Sequence, residues 1–487
     1  MYWHGKIRIT QKTQTTWHNR RIKKMKVIIC GAGKVGTSIA KHLVSQKNDV
    51  TVIDQSLELI NDIKEKVDLK TINGSASNPS ILKKAGAEET DMIIAVTLHD
   101  EINMVACQMA HTFFKIPRKI ARLRSEDFLN PIWRDLYNAD NMPIDLIISP
   151  ELEVAKSIER QLKAPGAYDV VPFLNDEIEL LSLPINENCP LIDTNLKSIH
   201  ELFQENSNKD KDLRASILGI NRGDNLFIPK KSDSLLNGDL VYILSDKNHV
   251  KRTMSAFGLN EKPIKKIIIV GGGNIGFNLA KDIEIYHSDI SVCIIENNNE
   301  RAKYIADQLG NTLVLNGDGL DQSILDEANI RDTDMMLALT NDDETNIIIS
   351  AVAKKNNCES LILVNNSEYN KLKDVLGISK VIDPRKITVS KILKHVHRGR
   401  IESVYSIGNN QAELIHAQVL KSSKLLNKTI KESNLPNGMR IGLMKKKNHI
   451  VVPNKETIIE ENDEILFFCM TEDLKNAEDL FKIREAY

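Results

Sequence analysis

The chain has 487 residues, of which 65 are basic, 66 are acidic and 41% are hydrophobic. This length predicts roughly three or four domains, with cores large enough to need neither disulfides nor metals. The near balance of charge argues against a nucleic-acid-binding protein or a polybasic membrane binder, and no apolar run approaches the ~18 residues of a membrane span.

The first 24 residues differ in composition from the rest of the chain. They carry seven Lys or Arg and no acid, and they lack the apolar stretch of a secretory signal. The pattern predicts a disordered basic extension, and it is equally compatible with an upstream start and with a functional arm. We assign this segment no role.

The run Met25–Cys30, "MKVIIC", predicts a buried strand and is followed by the glycine turn "GAGKVG". Gly31 would allow a tight turn after the strand, Gly33 would let a pyrophosphate approach the backbone, and Gly36 would let the next helix pack closely. The helix that starts here would direct its free amides towards phosphates.

The second predicted strand, "DVTVID", ends at Asp54, 18 residues after Gly36. A carboxylate at this place accepts hydrogen bonds from the ribose hydroxyls of adenosine and repels a 2′-phosphate. Gln55 follows instead of an arginine. The sequence therefore favours NAD over NADP.

Polar residues follow the next predicted strands. Asn73–Gly74 ends the third strand, where an ordinary turn is the simpler interpretation. Thr97 and Leu98 end the fourth strand, beside the cleft in which open α/β sheets bind ligands. Arg122, near the end of the fifth, could reach a phosphate or pair with an acid. Three polar residues, Asp100, Glu101 and Asn103, start the following helix, where acids also complement the helix dipole.

The pattern then repeats. Residues 73–103 align without a gap to residues 316–346, with 14 of 31 positions identical, which indicates a duplication. The second glycine turn contains Gly271, Gly273 and Gly276, and Glu296 follows 20 residues later. Two such motifs in this context favour two nucleotide sites. A Rossmann-like scaffold that has lost its ligand remains the alternative.

The second copy also repeats the later landmarks. Asn316–Gly317 again ends the third strand and is followed by Asp318, whereas Ser75 stands there in the first copy. Thr340 and Asn341 end the fourth strand, and the polar start of the next helix recurs as Asp343, Glu344 and Asn346.

Strand-length apolar runs alternate with helical segments in each larger unit, which predicts a doubly wound parallel sheet. The segments after them hold alternating strands joined by Asn-Gly, Gly-Asp and Asn-Asp turns and end in one helix, which predicts small α+β modules. The fold class is thus α/β, with two Rossmann-like domains that are each followed by a small module. The predicted boundaries are 1–24 for the extension, 25–150 and 265–385 for the Rossmann-like domains, and 167–252 and 400–487 for the modules.

Six cysteines occur without any CxxC pair, a pattern that favours buried, reduced thiols over a metal or disulfide role. No proton-transfer residue accompanies the glycine turns either. His99 lies near the first cleft, but Asp342 replaces it in the second copy, and Walker, HExxH and GxSxG motifs are absent from the sequence. A sensor without chemistry is favoured over two alternatives, an NAD-dependent oxidoreductase with substrate groups from the small modules and a structural adaptor with vestigial sites.

Several motifs together resemble a known family. The glycine turns "GAGKVG" and "VGGGNIG", the repeated "TxxDExN" (97–103 and 340–346), and "MVACQMA", "ARLRS", "ISPE" and "PGA" are similar to those of the tandem RCK (KTN) regulators of potassium transport. The resemblance covers about residues 25–487. It departs where "LIISPE" becomes "KVIDPR" in the second copy.

The resemblance implies a cytoplasmic homo-oligomer, peripheral on the inner face of the membrane. It would act on a potassium-translocating subunit of the TrkH/TrkG type and bind NAD(H), with ATP or ADP as alternatives. The small modules would be regulatory or dimerising parts. The implied nucleotide contacts of the first domain are Gly31, Ala32, Gly33, Lys34, Val35, Asp54, Thr97, Leu98 and Arg122. Those of the second are Gly271, Gly272, Gly273, Asn274, Ile275, Glu296, Asp318 and Thr340.

Overall fold

The computed structural model describes residues 25–480, with gaps at 46, 139, 200–213, 261, 367–368, 370–377, 379, 397–400, 409–410, 475–476 and 478–479. The extension predicted over residues 1–24 lies outside the described residues. The chain forms two compact units, one up to Ile147 and one from Ile148 onward.

The first unit is built on a six-stranded sheet in the order β3-β2-β1-β4-β5-β6. Its strands are β1 Lys26–Cys30, β2 Asp49–Asp54, β3 Lys70–Asn73, β4 Met92–Ala95, β5 Arg118–Arg122 and β6 Leu146–Ile148. Its helices are α1 Lys34–Ser45, α2 Leu57–Lys66, α3 Pro79–Ala85, α4 Asp100–Phe114 and α5 Glu126–Leu129. The paired strands run parallel. The sheet core is buried on both faces, which confirms the predicted doubly wound fold.

The second unit contains the duplicate of this sheet, in the order β14-β13-β12-β15-β16-β17. Its strands are β12 Lys266–Val270, β13 Ser291–Glu296, β14 Leu313–Asn316, β15 Met335–Ala338, β16 Glu359–Leu363 and β17 Lys380–Ile382. The associated helices are α6 Pro150–Lys163, α8 Asn274–Tyr286, α9 Asn299–Gln308, α10 Gln322–Glu327, α11 Asp343–Lys355 and α12 Pro384–Val396.

Two five-stranded antiparallel sheets complete the second unit, in the orders β10-β9-β11-β8-β7 and β18-β19-β22-β20-β21. The first module has β7 Asp169–Phe173, β8 Ile178–Pro184, β9 Ala215–Arg222, β10 Asn225–Phe227, β11 Leu240–Asp246 and helix α7 Val250–Ala256. The second has β18 Ile401–Ile407, β19 Ala412–Gln418, β20 Met439–Lys446, β21 His449–Val451 and β22 Glu464–Met470. The two orders are the same topology read in opposite directions.

The two modules pack against each other sheet to sheet, through one shared apolar cluster. The ring of Phe468 lies against Gly219 of the other module, where an added Cβ would be 2.9 Å from its Cζ. Leu244, the equivalent of Phe468 in the first module, lies against Gly442 in the same way, with 2.7 Å to an added Cβ. The contact is thus reciprocal, as in an isologous dimer. Alternating strands were predicted to have one buried face, but β11 and β22 are buried on both faces. The contact with the other module explains this difference.

Polar contacts join the same two modules. Arg440 donates to the carbonyl oxygens of Ile217 and Pro229, at 3.1 and 2.7 Å. The hydroxyl of Tyr405 donates to Asp169 Oδ2 at 2.6 Å. These bonds satisfy groups that the apolar contact would otherwise leave without water.

The Asp169–Tyr405 pair predicts a pH-dependent stability. Burial raises the pKa of Asp169, although Tyr405, the Val170 amide, Arg160 and Lys386 act in the opposite direction. Ionisation is therefore unfavourable in the fold, and stability is lost as the pH rises through the raised pKa. Asp169→Asn should raise the unfolding midpoint at pH 7, because the amide can still accept from Val170 and donate to the Tyr405 hydroxyl.

This gain should shrink as the pH falls and vanish below about pH 3, where the wild-type carboxyl is protonated in both states. Thermal unfolding from pH 3 to 8 measures it. Glu187→Gln, which changes an exposed carboxylate of the same module, should leave the midpoint nearly unchanged. A lower midpoint for Asp169→Asn at pH 7 would contradict the prediction.

Candidate functional site

The first glycine turn follows β1 and leads into α1. Gly31 has φ +113°, and an added Cβ would lie 3.0 Å from the Val96 carbonyl oxygen. A Cβ on Gly36 would lie 1.9 Å from the Gly31 carbonyl oxygen, so that α1 can approach the turn only with glycine there. An added Cβ on Gly33 would meet nothing within 4 Å. The turn is therefore closed on the sheet side and open at Gly33.

Asp54, the last residue of β2, is hydrogen-bonded directly to this turn. Its Oδ2 accepts from the Ala32 amide at 2.6 Å, and its Oδ1 accepts from the Ser56 amide at 2.8 Å. The carboxylate is half-buried, whereas Gln55 beside it is exposed. These bonds fix the carboxylate beside the turn, where a ribose diol could reach its remaining lone pairs.

Asn73 has a specific role beyond that of a turn residue. Its Nδ2 donates to the carbonyl oxygens of Asp54 and Gln55, at 3.1 and 2.9 Å. The Gly74 amide also donates to the Asp54 carbonyl, at 2.9 Å. The end of β3 thus holds the end of β2, and with it the acid.

Thr97 and Arg122 are joined by a residue of α4. Asn103, which is fully buried, accepts at Oδ1 from the Thr97 amide (2.9 Å) and hydroxyl (2.8 Å). Its Nδ2 donates to the carbonyl oxygens of Thr97 (3.2 Å) and Arg122 (2.9 Å). Leu98 and Lys34 are exposed. The structure therefore brings Thr97 and Arg122 together and leaves Leu98 and Lys34 on the surface.

The acids at the start of α4 divide between two roles. Asp100 Oδ2 accepts from the amides of Arg124 and Ser125, both at 2.8 Å, so it holds the loop after β5. Glu101 is exposed in the first helical turn, where it complements the helix dipole. Asp343 repeats the role of Asp100 in the second copy, with bonds to the amides of Asn365 and Asn366.

The second glycine turn has the same form. Gly271 has φ +107°, and an added Cβ would lie 3.0 Å from the Leu339 carbonyl oxygen. A Cβ on Gly276 would lie 2.2 Å from the Gly271 carbonyl oxygen, and one on Gly273 would meet nothing within 4 Å. Asn274 and Ile275 form the first turn of α8.

Glu296 takes the place of Asp54. Its Oε2 accepts from the Gly272 amide at 2.7 Å, and its Oε1 accepts from the Asn298 amide at 2.9 Å. A Cβ on Gly272 would lie 2.4 Å from Ile305 Cδ1 and 3.1 Å from Glu296 Oε2. The longer acid is therefore accommodated by a glycine where the first copy has Ala32.

The remaining second-copy residues repeat the first arrangement with one exception. Asn316 Nδ2 donates to the Glu296 carbonyl at 2.9 Å, and Asn346 Oδ1 accepts from the amide and hydroxyl of Thr340, at 3.0 and 2.7 Å. Asp318 is exposed, and its Oδ1 accepts from the Leu320 amide at 2.9 Å. Asp318 thus closes a local turn.

Sequence reasoning missed a group beside the second turn. Arg301 Nε donates to the Gly272 carbonyl oxygen at 2.8 Å, and its guanidinium lies 5.3 and 5.1 Å from the ring centroids of Phe277 and Tyr304. Leu59 occupies the position of Arg301 in the first copy, and Thr37 that of Phe277. Comparing the two repeats position by position would have revealed this exchange.

In each copy, the site residues lie at the carboxyl ends of the parallel strands. Ligands of open α/β sheets bind at this edge. His99 is exposed at the start of α4, and its side chain does not cap the helix. All six cysteines are buried and unpaired. Within the described residues, no helix is long and apolar enough to cross a membrane, and no cluster of His, Cys, Asp or Glu is arranged to hold a metal ion.

The fold and the duplicated turns define a class of protein, the tandem RCK-type proteins with two Rossmann-like units and two small modules. Comparison with solved structures agrees at the level of the fold. The crystal structure of the GsuK RCK domain superposes with a TM-score of 0.58 at 16% identity and covers 99% of this chain and 98% of that chain. The GsuK channel bound to NAD gives the same score and identity, with coverage of 96% and 81%.

Sequence comparison gives the family. The TrkA-N domain model matches residues 27–150 and 267–384, and the TrkA-C domain model matches residues 415–482. The Trk system potassium uptake protein TrkA of Azorhizobium caulinodans is 41% identical over 460 residues, which are 94% of this chain and 99% of that protein. The protein of that name from Vibrio alginolyticus is 35% identical over 463 residues, with the same two coverages. The chain belongs to the family of Trk system potassium uptake proteins TrkA.

Proposed function

We propose that this protein is the nucleotide-binding regulatory subunit of a potassium uptake system. It would bind NAD(H), or ATP and ADP, at both glycine turns and change the conformation of a potassium-translocating membrane subunit of the TrkH/TrkG type. The observation that carries the proposal is the duplicated arrangement of an open glycine turn hydrogen-bonded to an acid, through Asp54 in one copy and Glu296 in the other. The relatives named for potassium uptake supply the ion and the transport system.

The ligand contacts follow from this arrangement. The open amides around Gly33 and Gly273 and the starts of α1 and α8 would hold the pyrophosphate. Asp54 and Glu296 would accept from the ribose hydroxyls, and a fold neighbour is the GsuK channel bound to NAD. The side chains that the two sites share form hydrogen bonds with backbone groups. The second site has Asp342 in place of His99. A sensor therefore explains the sites better than an oxidoreductase.

A mechanical connection leads from the second site towards the first small module. Helix α8 begins at the glycine turn and packs on α6, where Ile158 and Leu162 share a core with Leu279 and Ile283. Glu159 Oε1 of α6 is 2.8 Å from His287 Nε2 at the end of α8. Since only residues 164–168 separate α6 from β7, a shift of α8 on nucleotide binding would reach the paired modules.

The energetics are compatible with such a switch. Moving a gate from mostly closed to mostly open requires about 5.5 kcal/mol of differential binding. Sites in a homo-oligomer, each contributing the ~1–3 kcal/mol typical of allosteric coupling, would together supply it. Such an assembly would lie peripherally on the cytoplasmic face of the membrane, next to the transport subunit.

Calorimetric titration tests the binding step. NADH, NAD and ATP are titrated in turn into the purified chain, and we expect saturable binding near two sites per chain for at least one of them, without turnover. The Asp54→Ala/Glu296→Ala double variant is the matched control and should show little heat. No binding by any ligand would overturn the proposal.

Transport measurement tests the regulatory step. The chain is reconstituted with its membrane subunit in vesicles, and potassium flux is measured with and without the nucleotide that binds. We expect the flux to change with nucleotide and the double variant to be unresponsive. Binding with unchanged flux would contradict gating and leave the binding sites in place.

A further inference from the structure

The two glycine turns are held by different side chains at the same backbone position. In the first copy, the Ala32 carbonyl oxygen accepts from the Thr37 hydroxyl at 2.9 Å. In the second, the equivalent Gly272 carbonyl accepts from Arg301 Nε at 2.8 Å. Phe277 stands where Thr37 would be, and it has no donor. Helix α8 therefore lacks the hydrogen-bond donor that α1 provides in the first copy, and α9 provides one instead.

The exchange involves a second position in each copy. Leu59, the counterpart of Arg301, is exposed on α2, and its side chain has no hydrogen-bond donor either. Arg301 lies over the rings of Phe277 and Tyr304, whose centroids are 5.9 Å apart. The pair Thr37 and Leu59 in one copy therefore corresponds to the pair Phe277 and Arg301 in the other.

The carbonyl that is held determines the direction of the next amide. In a planar trans peptide, the C=O and the following N–H point in opposite directions. The Ala32 carbonyl points towards Thr37, and the Gly272 carbonyl points towards Arg301. The N–H groups of Gly33 and Gly273 therefore point away from these side chains. These are the glycines with open space around them, and within the described residues neither amide has a hydrogen-bond acceptor.

Stability alone does not explain an arginine at position 301. Its Nη2 is buried and has no hydrogen-bond partner in the part of the chain that the structure describes. An unsatisfied buried donor is destabilising, and an apolar side chain would pack on the two rings without that cost. The feature that only the guanidinium supplies is the hydrogen bond to Gly272.

We propose that Arg301 and Thr37 are positioning residues of the two nucleotide sites, each orienting a glycine amide for the pyrophosphate of a bound dinucleotide. This inference rests on the proposed nucleotide binding and deepens it. The first turn uses a local, neutral donor, and the second uses a charged donor stacked on Phe277. Each pair of side chains, Thr37 with Leu59 or Phe277 with Arg301, should work in either copy when both members are exchanged together.

The test measures each site separately. NADH titrated into the Asp54→Ala chain reports the second site, and NADH titrated into the Glu296→Ala chain reports the first. In the first of these backgrounds, Arg301→Leu should weaken binding about tenfold, as expected for one lost hydrogen bond. In the second, Thr37→Val should weaken binding by a similar factor.

Rescue distinguishes positioning from a general structural effect. Adding Phe277→Thr to Arg301→Leu gives the second copy the threonine and leucine of the first. This variant should have an NADH affinity within about threefold of the parent's. Thr37→Phe with Leu59→Arg builds the reverse without a counterpart of Tyr304, and its NADH affinity should be within about threefold of the parent's. Thermal unfolding of every variant checks that each is folded, and the affinity loss should occur without a matching loss of midpoint.

Three results would overturn the inference. Equal NADH affinity for Arg301→Leu and its parent would remove Arg301 from the site. Failure of both paired exchanges to restore affinity, in folded variants, would mean that the carbonyl contact does not orient the turn. Absence of NADH binding to the wild-type chain would overturn this inference, and absence of binding by NADH, NAD and ATP alike would overturn the proposed function as well.

Discussion

Replacing Phe468 by alanine is expected to lower the free energy of unfolding of the second unit by about 3–5 kcal/mol. The ring is fully buried between the two antiparallel sheets, and it lies against Gly219 of the opposite module. Its removal leaves a cavity that the backbone at Gly219 cannot fill. The lost free energy therefore includes both the burial of the ring and the cost of the cavity. Urea unfolding followed by circular dichroism measures it.

Two control variants separate the module contact from ordinary core packing. Phe468→Leu introduces the residue that stands at the equivalent position, Leu244, and should cost less than about 1.5 kcal/mol. Phe467→Ala removes a ring of the same type from the adjacent position, whose side chain lies in the core of its own module. It should destabilise the protein without separating the modules, whereas Phe468→Ala should let them unfold in two resolved steps. A loss below 1 kcal/mol for Phe468→Ala would contradict this account of the interface.

The sheet-to-sheet contact shows where sequence analysis of the small modules was limited. Alternation of apolar and polar residues predicts one buried face, but "LVYILS" and "ILFFCM" are nearly continuous apolar runs. In an antiparallel sheet, a continuous apolar run requires cover on both faces. The sequence therefore contained the evidence for a second layer, but not its identity. That the other module supplies it depends on contacts between residues roughly 200 to 250 positions apart in the chain.

The Rossmann-like units were more predictable because their signals are local. Gly31 and Gly36 are required by a positive φ and by a close backbone approach, and both constraints act within a few residues of the turn. The acids at Asp54 and Glu296 follow from the same strand–turn–helix pattern. Asn103 and Asn346 were identified as residues of the helix start, but the bonds of their buried amides could not be assigned. Asn103 joins its helix to the ends of β4 and β5, and Asn346 joins its helix to the ends of β15 and β16.

The Arg301 contact was missed by sequence reasoning for a different reason. Arginine in the first turns of a helix is usually a solvated residue, and a single copy gives no cause to single it out. Only the hydrogen bond to Gly272 shows that it compensates for Phe277. Duplication makes this visible, because the first copy solves the same steric problem with Thr37. Differences between repeats at equivalent positions are therefore as informative as their identities.

Replacing Asp54 by alanine is expected to weaken NADH binding at the first site by about 10- to 100-fold, the effect of losing hydrogen bonds to a charged group worth about 1.5–3 kcal/mol. The loss has two causes, because the carboxylate would accept from the ribose and also holds the Ala32 amide of the glycine turn. Glu296→Ala should act in the same way on the second site through Gly272.

Asp54→Asn separates these two causes. The amide oxygen can still accept from Ala32, but the negative charge that would repel a 2′-phosphate is gone. This variant should therefore keep part of the NADH affinity. Its ratio of NADH affinity to NADPH affinity should be smaller than that of the wild type. Titrations of both dinucleotides in the Glu296→Ala background measure the first site alone. An unchanged NADH affinity in Asp54→Ala would remove Asp54 from the site, while an unchanged preference in Asp54→Asn would mean that the ribose lies elsewhere along the cleft.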